Sequence, residues 1–452
     1  MMYGLIAIIG MLITIFFVIG THEAAHFIAA RLAHVKVIRF SIGFGKTLFR
    51  FKDKQGTEYV FSLIPLGGYV KMLGEDEEGI PKKDLHLAFN RQPLYKKFFI
   101  VLAGPFMNIL CALILYWLIF MIGFTVEKPI IGAIAPHSIA AAAGLKPKQE
   151  IVGIDQQYTP TWSKIIFRIL AHAGNQDKLT MQTKTLGDQS TQSYTLDLTR
   201  WHLDSLTPDP LASLGITPYM PYVPLVIGAI LKKSPAASSS LQVDDKIVAI
   251  NKNKISNWKE LVNFIMENPN KKIIFTIERQ NKTIDLTIPI GHQRDLLFKK
   301  YGYLGIAPKL DFAKNLLQNV KYGPMDALSK AWHEVVDLTY FNFMLFGKLL
   351  TGKISFQSLG GPISIFESAG EALNYGFLPF ISFLAFLSLS LGVINLLPIP
   401  MLDGGHLLLQ CIEAIIKKPL PDVALAFLYR IGLALILVLL VQAFINDILR
   451  LY

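Results

Sequence analysis

His22, Glu23 and His26 stand in the run Gly20-Thr21-His22-Glu23-Ala24-Ala25-His26-Phe27, an HExxH pattern inside the first apolar stretch of the chain. Four residues is about one helical turn, so on a helix both imidazoles share a face and can reach one Zn²⁺, with Glu23 beside them as a base toward water. That is the ligand and base set of a metal-dependent hydrolase. The pattern is short and recurs by chance, so its setting carries the weight. Residues 1–21 contain no charge, and an ionisable group at bilayer depth costs roughly 2.5–3.5 kcal/mol. Three polar side chains in such a helix call for a compensating partner, and a metal is one. The plainer alternative is a helix end whose polar residues sit at the membrane interface.

A third ligand is supplied much later in the chain. The run Asn395-Leu396-Leu397-Pro398-Ile399-Pro400-Met401-Leu402-Asp403-Gly404-Gly405-His406 closes an apolar segment. Two prolines and two glycines around a carboxylate describe a broken helix that turns Asp403 toward protein rather than lipid. Asp403 can therefore join His22 and His26.

These groups need a membrane scaffold. The chain has 452 residues, 52% of them hydrophobic, and its mean hydropathy is +0.42, too apolar for an ordinary soluble protein. Cys111 and Cys411, the two cysteines, lie in or beside apolar segments and suit buried thiols better than a disulfide framework. The net charge of +11 comes from dispersed Lys and Arg without aromatic-interleaved basic motifs, which argues against nucleic acid as a partner and for membrane topology information. The N-terminal stretch lacks the basic flank and cleavage site of a signal peptide and is expected to be retained.

The expected organisation is a first span at 1–30, a β-rich loop at 31–97, a second span at 98–126, soluble α/β character at 127–308, a helical linker at 309–372, a third span at 373–410 and a fourth at 423–449. The 31–97 loop is rich in Lys and Arg, so the positive-inside rule makes it cytoplasmic. It contains a hairpin signal around Asp53-Lys54-Gln55-Gly56, a short acidic run Glu75-Asp76-Glu77-Glu78, and strand-like pieces carrying Gly43, Gly45, Gly67 and Gly68. An unpaired edge there would receive an extended substrate by strand addition; a small structural sheet on the membrane surface is the other reading. Within the second span, Gly104-Pro105-Phe106-Met107-Asn108 is a helix-packing signal in which Asn108 needs a polar partner. Residues 310–350 read as an amphipathic helix on the outer surface or under the soluble region.

The soluble stretch repeats itself. Ser138–Leu145 aligns with Ser234–Leu241, Ile151–Asp155 with Ile247–Asn251, Trp162 with Trp258, and Leu214-Gly215-Ile216 with Leu304-Gly305-Ile306. Each unit, 127–218 and 219–308, resembles a PDZ domain with a groove for an extended peptide. Spacer modules or a steric cap are the alternative.

HExxH in the first span, Asn-x-x-Pro-x-Pro-x-Leu-Asp-Gly in the third and the paired repeats between them together resemble the site-2 protease family over essentially the whole chain. The resemblance implies a polytopic α-helical membrane protein with four transmembrane helices, a membrane-associated β-rich cytoplasmic loop and two periplasmic PDZ-like domains in the cell inner membrane. It implies Zn²⁺ on His22, His26 and Asp403, Glu23 as catalytic base, and Asn395, Pro398 and Pro400 with Gly43, Gly45, Gly67 and Gly68 handling substrate. Its partners would be single-span membrane proteins: an anti-sigma factor already cut once outside the membrane, and leftover signal peptides. The competing classes are a PDZ-bearing membrane scaffold with structural zinc and, more weakly, a metal transporter.

Overall fold

The computed structural model describes residues 2–451 apart from 75–79, 176, 186–189, 204–208, 220–222, 295–299, 310–315 and 419. The acidic run at 75–78 lies outside the described residues.

Among the described residues, four helices are long and apolar enough to cross a membrane, within Met2–Leu32, Leu94–Ile122, Phe377–Asn395 and Asp422–Leu451. We refer to them as the first to fourth spans. Two boundaries differ from expectation. The second span runs about one turn earlier than 98–126 at both ends: it starts after Pro93, and Gly123, at φ +85°, stops it. Phe124–Glu127 then turns to strand and pairs antiparallel with Leu317–Val320. The third apolar segment is not continuous over 373–410. Gly376 (φ +122°) separates the helix Pro362–Tyr375 from the third span, and after Asn395 a turn leads into a further helix, Asp403–Ile416.

The 31–97 loop holds two long strands, Val37–Lys52 and Glu58–Met72. Both bend, so that Ile42 is partnered by Phe61 on one side and by Gly68 on the other, while Phe49 faces Phe61 and Phe51 faces Tyr59 farther out. The hairpin signal and the Gly-rich pieces are thus one sheet. Gly43 and Gly45, at φ +91° and +82°, make the bend. Its outer part carries exposed Leu48, Phe49, Phe51, Leu63 and Ile64.

The repeat is architectural. In the first unit, strands Gln157–Tyr158, Gln149–Ile154, Lys178–Thr185 and Thr191–Asp197 form an antiparallel sheet, in that spatial order. Asn253–Lys254, Lys246–Ile250, Lys272–Arg279 and Lys282–Pro289 repeat the order in the second. Each sheet packs a helix, Trp162–Ala171 or Trp258–Glu267, that begins at an equivalent cap: Thr161 accepts from Lys164 N–H and Asn257 from Glu260 N–H. Each unit buries its own core, around Ile151, Ile165 and Leu179 in the first and Ile247, Leu261 and Phe275 in the second.

The helix Pro324–Leu350 is not simply a surface helix. Ala331, Val335 and Leu338 pack with Ala112, Tyr116 and Ile119 of the second span and Ala385 and Leu389 of the third. Its far end docks on the first unit, where the buried Lys348 ammonium donates to Ala173 O at 2.5 Å.

Candidate metal centre

His22 and His26 sit on one face of the first span with their rings edge to face, 4.8 Å between centroids. Both are buried, as is Glu23 between them. The second span crosses at Gly104, where a side chain is sterically impossible: a Cβ would overlap His26 Nε2 and stand 2.8 Å from His22 Cε1. One turn earlier the Ile100 carbonyl accepts a hydrogen bond from His26 Nδ1 at 2.8 Å. A carbonyl only accepts, so Nδ1 carries the proton and Nε2 presents a lone pair.

Asp403 arrives from the other end of the chain. The third span ends at Asn395, and the turn through Pro398 and Pro400 places Met401 at φ +83°, a costly conformation for a residue with a side chain. Asp403 then opens the next helix. Gly404 and Gly405 let that helix press on the turn, for a Cβ on either would overlap the carbonyl oxygen of Leu396 or Ile399. Asp403 Oδ2 lies 3.2 Å from His22 Nε2 and 3.5 Å from His26 Nε2, and the two Nε2 atoms are 3.2 Å apart.

Three electron-rich atoms thus converge, shut away from water, and Asp403 Oδ2 has no hydrogen-bond donor among the described residues. Left alone they repel; a cation satisfies all three. Tetrahedral zinc with bonds of about 2.0–2.1 Å holds neighbouring ligand atoms about 3.3 Å apart, and the observed edges of 3.2, 3.2 and 3.5 Å match. The donor set fits Zn²⁺.

The remaining site candidates divide. Gly68 lies against Glu23, since a Cβ there would come 2.7 Å from Glu23 Cγ, and Gly67 abuts Phe44. The strand carrying them pairs on one side with residues 39–42. Gly43 and Gly45 serve the bend of the neighbouring strand, with Phe44 stacked on Tyr69 at 6.2 Å. Asn395 is half-buried at the end of the third span, and Pro398 is exposed in the turn. Pro400 faces elsewhere: its backbone packs against Gly432 of the fourth span.

Sequence reasoning passed over Gly104 as a site residue and took it for a packing signal only. Asn108 is fully buried at the same seam. Thr21 Oγ1 lies 3.4 Å from its amide oxygen, and Ser388 Oγ donates to its carbonyl at 2.9 Å. The available signal was a Gly and an Asn four residues apart in the charge-free stretch 98–126, which places both on one face of a helix.

With this geometry in view, comparison with known proteins is informative. Residues 10–439 match the profile of peptidase family M50. The chain is 39% identical to a Vibrio cholerae protein named for zinc metalloprotease activity, over 98% of each chain. It is 38% identical to the regulator of sigma-E protease RseP of Salmonella typhimurium (98% of this chain, 97% of that one) and 38% to that of Escherichia coli K12 (99% and 98%). A non-catalytic scaffold and a transporter find no support among these relatives.

Proposed function

The chain belongs to peptidase family M50 and is a zinc metalloprotease, and from that premise we propose that His22, His26 and Asp403 hold its zinc within the membrane and that Glu23 is its catalytic base. The observation that carries this reading is the buried convergence of His22 Nε2, His26 Nε2 and Asp403 Oδ2 at 3.2–3.5 Å beside Glu23.

Zinc bound there acidifies a water molecule and polarises a peptide carbonyl. Glu23 takes the proton of the attacking water as oxygen bonds to the carbonyl carbon, then delivers it to the leaving amine as the C–N bond breaks. A helical substrate has its amides locked in internal bonds and must unwind first. The strand at Gly67–Gly68, beside Glu23, offers backbone groups on its outer edge to hold the unwound segment extended. Asn395, Pro398 and Pro400 shape the turn that delivers Asp403, and Asn395 assists substrate near the metal.

The substrates are membrane-spanning segments, foremost an anti-sigma-E factor after a first cut outside the membrane, followed by remnant signal peptides. Relatives of 38% identity named as regulators of sigma-E protease support that assignment. The chain resides in the inner membrane, with the hairpin sheet cytoplasmic and membrane-associated and the two repeats periplasmic and PDZ-like. The second repeat is the better peptide receptor. Exposed Leu231, Val262 and Met266 border its groove beside Leu304–Ile306, whereas Ile166 of the first repeat, equivalent to Val262, packs against that unit's core.

The test is cleavage of a single-span substrate, truncated on its outer side, by the purified protein in liposomes. Wild type should cut and hold zinc; Glu23→Gln should hold zinc and not cut. Robust turnover by Glu23→Gln removes Glu23 from the mechanism.

A further inference from the structure

We propose that Asn108 is a positioning residue for the metal centre: its side-chain amide, through one bridging water, holds the Nδ1–H of His22 and so keeps His22 Nε2 turned to the metal. The inference rests on the zinc assignment of His22 above.

His26 has its orienting partner in Ile100 O. His22 does not: its Nδ1 is shut from solvent and unpartnered. So is Asn108 Nδ2, on a residue with no solvent exposure. The two belong to one seam. Thr21, next to His22, places Oγ1 3.4 Å from Asn108 Oδ1. Gly104, one turn from Asn108 on the same helix face, lies against His22 Cε1, the ring atom bonded to Nδ1.

Hydrogen counting settles the amide's orientation. The Thr21 hydroxyl donates to Phe17 O at 2.7 Å, so Oγ1 meets Asn108 with a lone pair, and an amide oxygen facing it sets acceptor against acceptor. Amide oxygen and nitrogen are interchangeable in shape. Turning the amide over lets Asn108 N–H donate to Thr21 Oγ1 and brings its oxygen to the present place of Nδ2. A bridging water then accepts from His22 Nδ1–H and donates to that oxygen, as buried waters do between unpaired polar groups. The chain of donors then runs one way: His22 to water, water to Asn108, Asn108 to Thr21, Thr21 to Phe17. The main chain of Asn108 is fixed independently of that amide, since Ser388 donates to its backbone carbonyl and the third span passes at Gly392, where a Cβ would stand 3.2 Å from Asn108 Cβ. Loss of such an outer partner characteristically weakens metal binding about 10–100-fold.

The experiment titrates zinc into the metal-free, full-length protein in detergent and records the visible absorption of the Co²⁺-substituted form, with the metal-free melting temperature as a folding control. Asn108→Leu should weaken zinc about tenfold or more and shift the cobalt bands. Ser388→Ala, which removes only a hydrogen bond to the Asn108 main chain, should stay within about threefold of wild type. If Asn108→Leu does not fold, Asn108→Ala takes its place with the same expectation. The proposal is overturned if removing the amide leaves zinc affinity and cobalt bands unchanged, or if Ser388→Ala loses as much affinity. Wild type that takes up no zinc overturns the metal assignment itself, a different failure from unaltered binding in the Asn108 variant.

Discussion

A methyl group on Gly104 would occupy the place of the His26 imidazole, so at the scale of single residues the centre depends on an absence of side chain as much as on its ligands. Gly104→Ala must push either the histidines or the second span aside, and zinc affinity should fall by about tenfold or more while the purified protein still melts cooperatively; equilibrium dialysis with zinc checks this. Gly68 calls for a different outcome. A Cβ there meets Glu23 Cγ and the Ser41 carbonyl, both within 3 Å, but no metal ligand. Gly68→Val should therefore keep zinc stoichiometric and lose cleavage through the base and the strand edge. Loss of zinc in Gly68→Val would tie the hairpin sheet to metal binding instead.

At the scale of elements, two polar contacts seat the extramembrane pieces on the helices. Arg31, at the end of the first span, pairs with Asp53 in the hairpin turn. Burial pulls the Asp53 carboxyl upward, but the Arg31 guanidinium and the N–H groups of Thr57 and Gln55 outweigh it and hold it below its ordinary 3.8. The folded state thus binds fewer protons than the unfolded chain near that pH. The contribution is complete above 3.8 and is lost as pH falls through the lower folded value. Proteolysis of the hairpin in wild type should accelerate on acidification below 3.8, whereas Asp53→Asn should be loosened at every pH and show a flatter acid response. Lys348 seats the first repeat on the helix Pro324–Leu350. Burial, then the neighbouring Lys353, push its ammonium below the ordinary lysine range, with Asp177 pulling back. Lys348→Met keeps the stem and strands Ala173 O without its donor, a cost of about 1–3 kcal/mol. A lower unfolding midpoint of the repeat region with unchanged zinc content is the expected result.

For the molecule as a whole, the proposed four-span arrangement would put both chain ends on one side of the membrane and the hairpin turn on the other. Reporters fused at the two ends should give the same compartment signal, and one inserted at 54–56 the opposite signal. Agreement of all three reporters would refute the four-span arrangement. The fourth span packs lightly, with exposed apolar side chains from Val423 to Leu449, which suits a helix facing lipid on most of its surface. Polar ties hold its C-terminal end: Asn446 donates to the Phe356 and Leu359 carbonyls, and Asp447 accepts from Gly361 and Ile363 N–H.

Much of this was legible in the chain itself. Two histidines one helical turn apart share a face wherever that helix lies, and a charge-free run long enough to span predicts a helix because lipid satisfies no backbone group. Local periodicity likewise announced the two repeats, whose matching sequence pieces fold to the same strand order. What local patterns could not decide were relations between distant segments. That Asp403 comes within 3.2 Å of His22, that Gly104 is the space the histidines need, that Pro400 turns to the fourth span and that the helix Pro324–Leu350 wedges between two spans and a repeat all depend on how helices cross. Helix crossing is set by the fit of side chains across an interface, a property of pairs of surfaces that neither sequence segment contains alone.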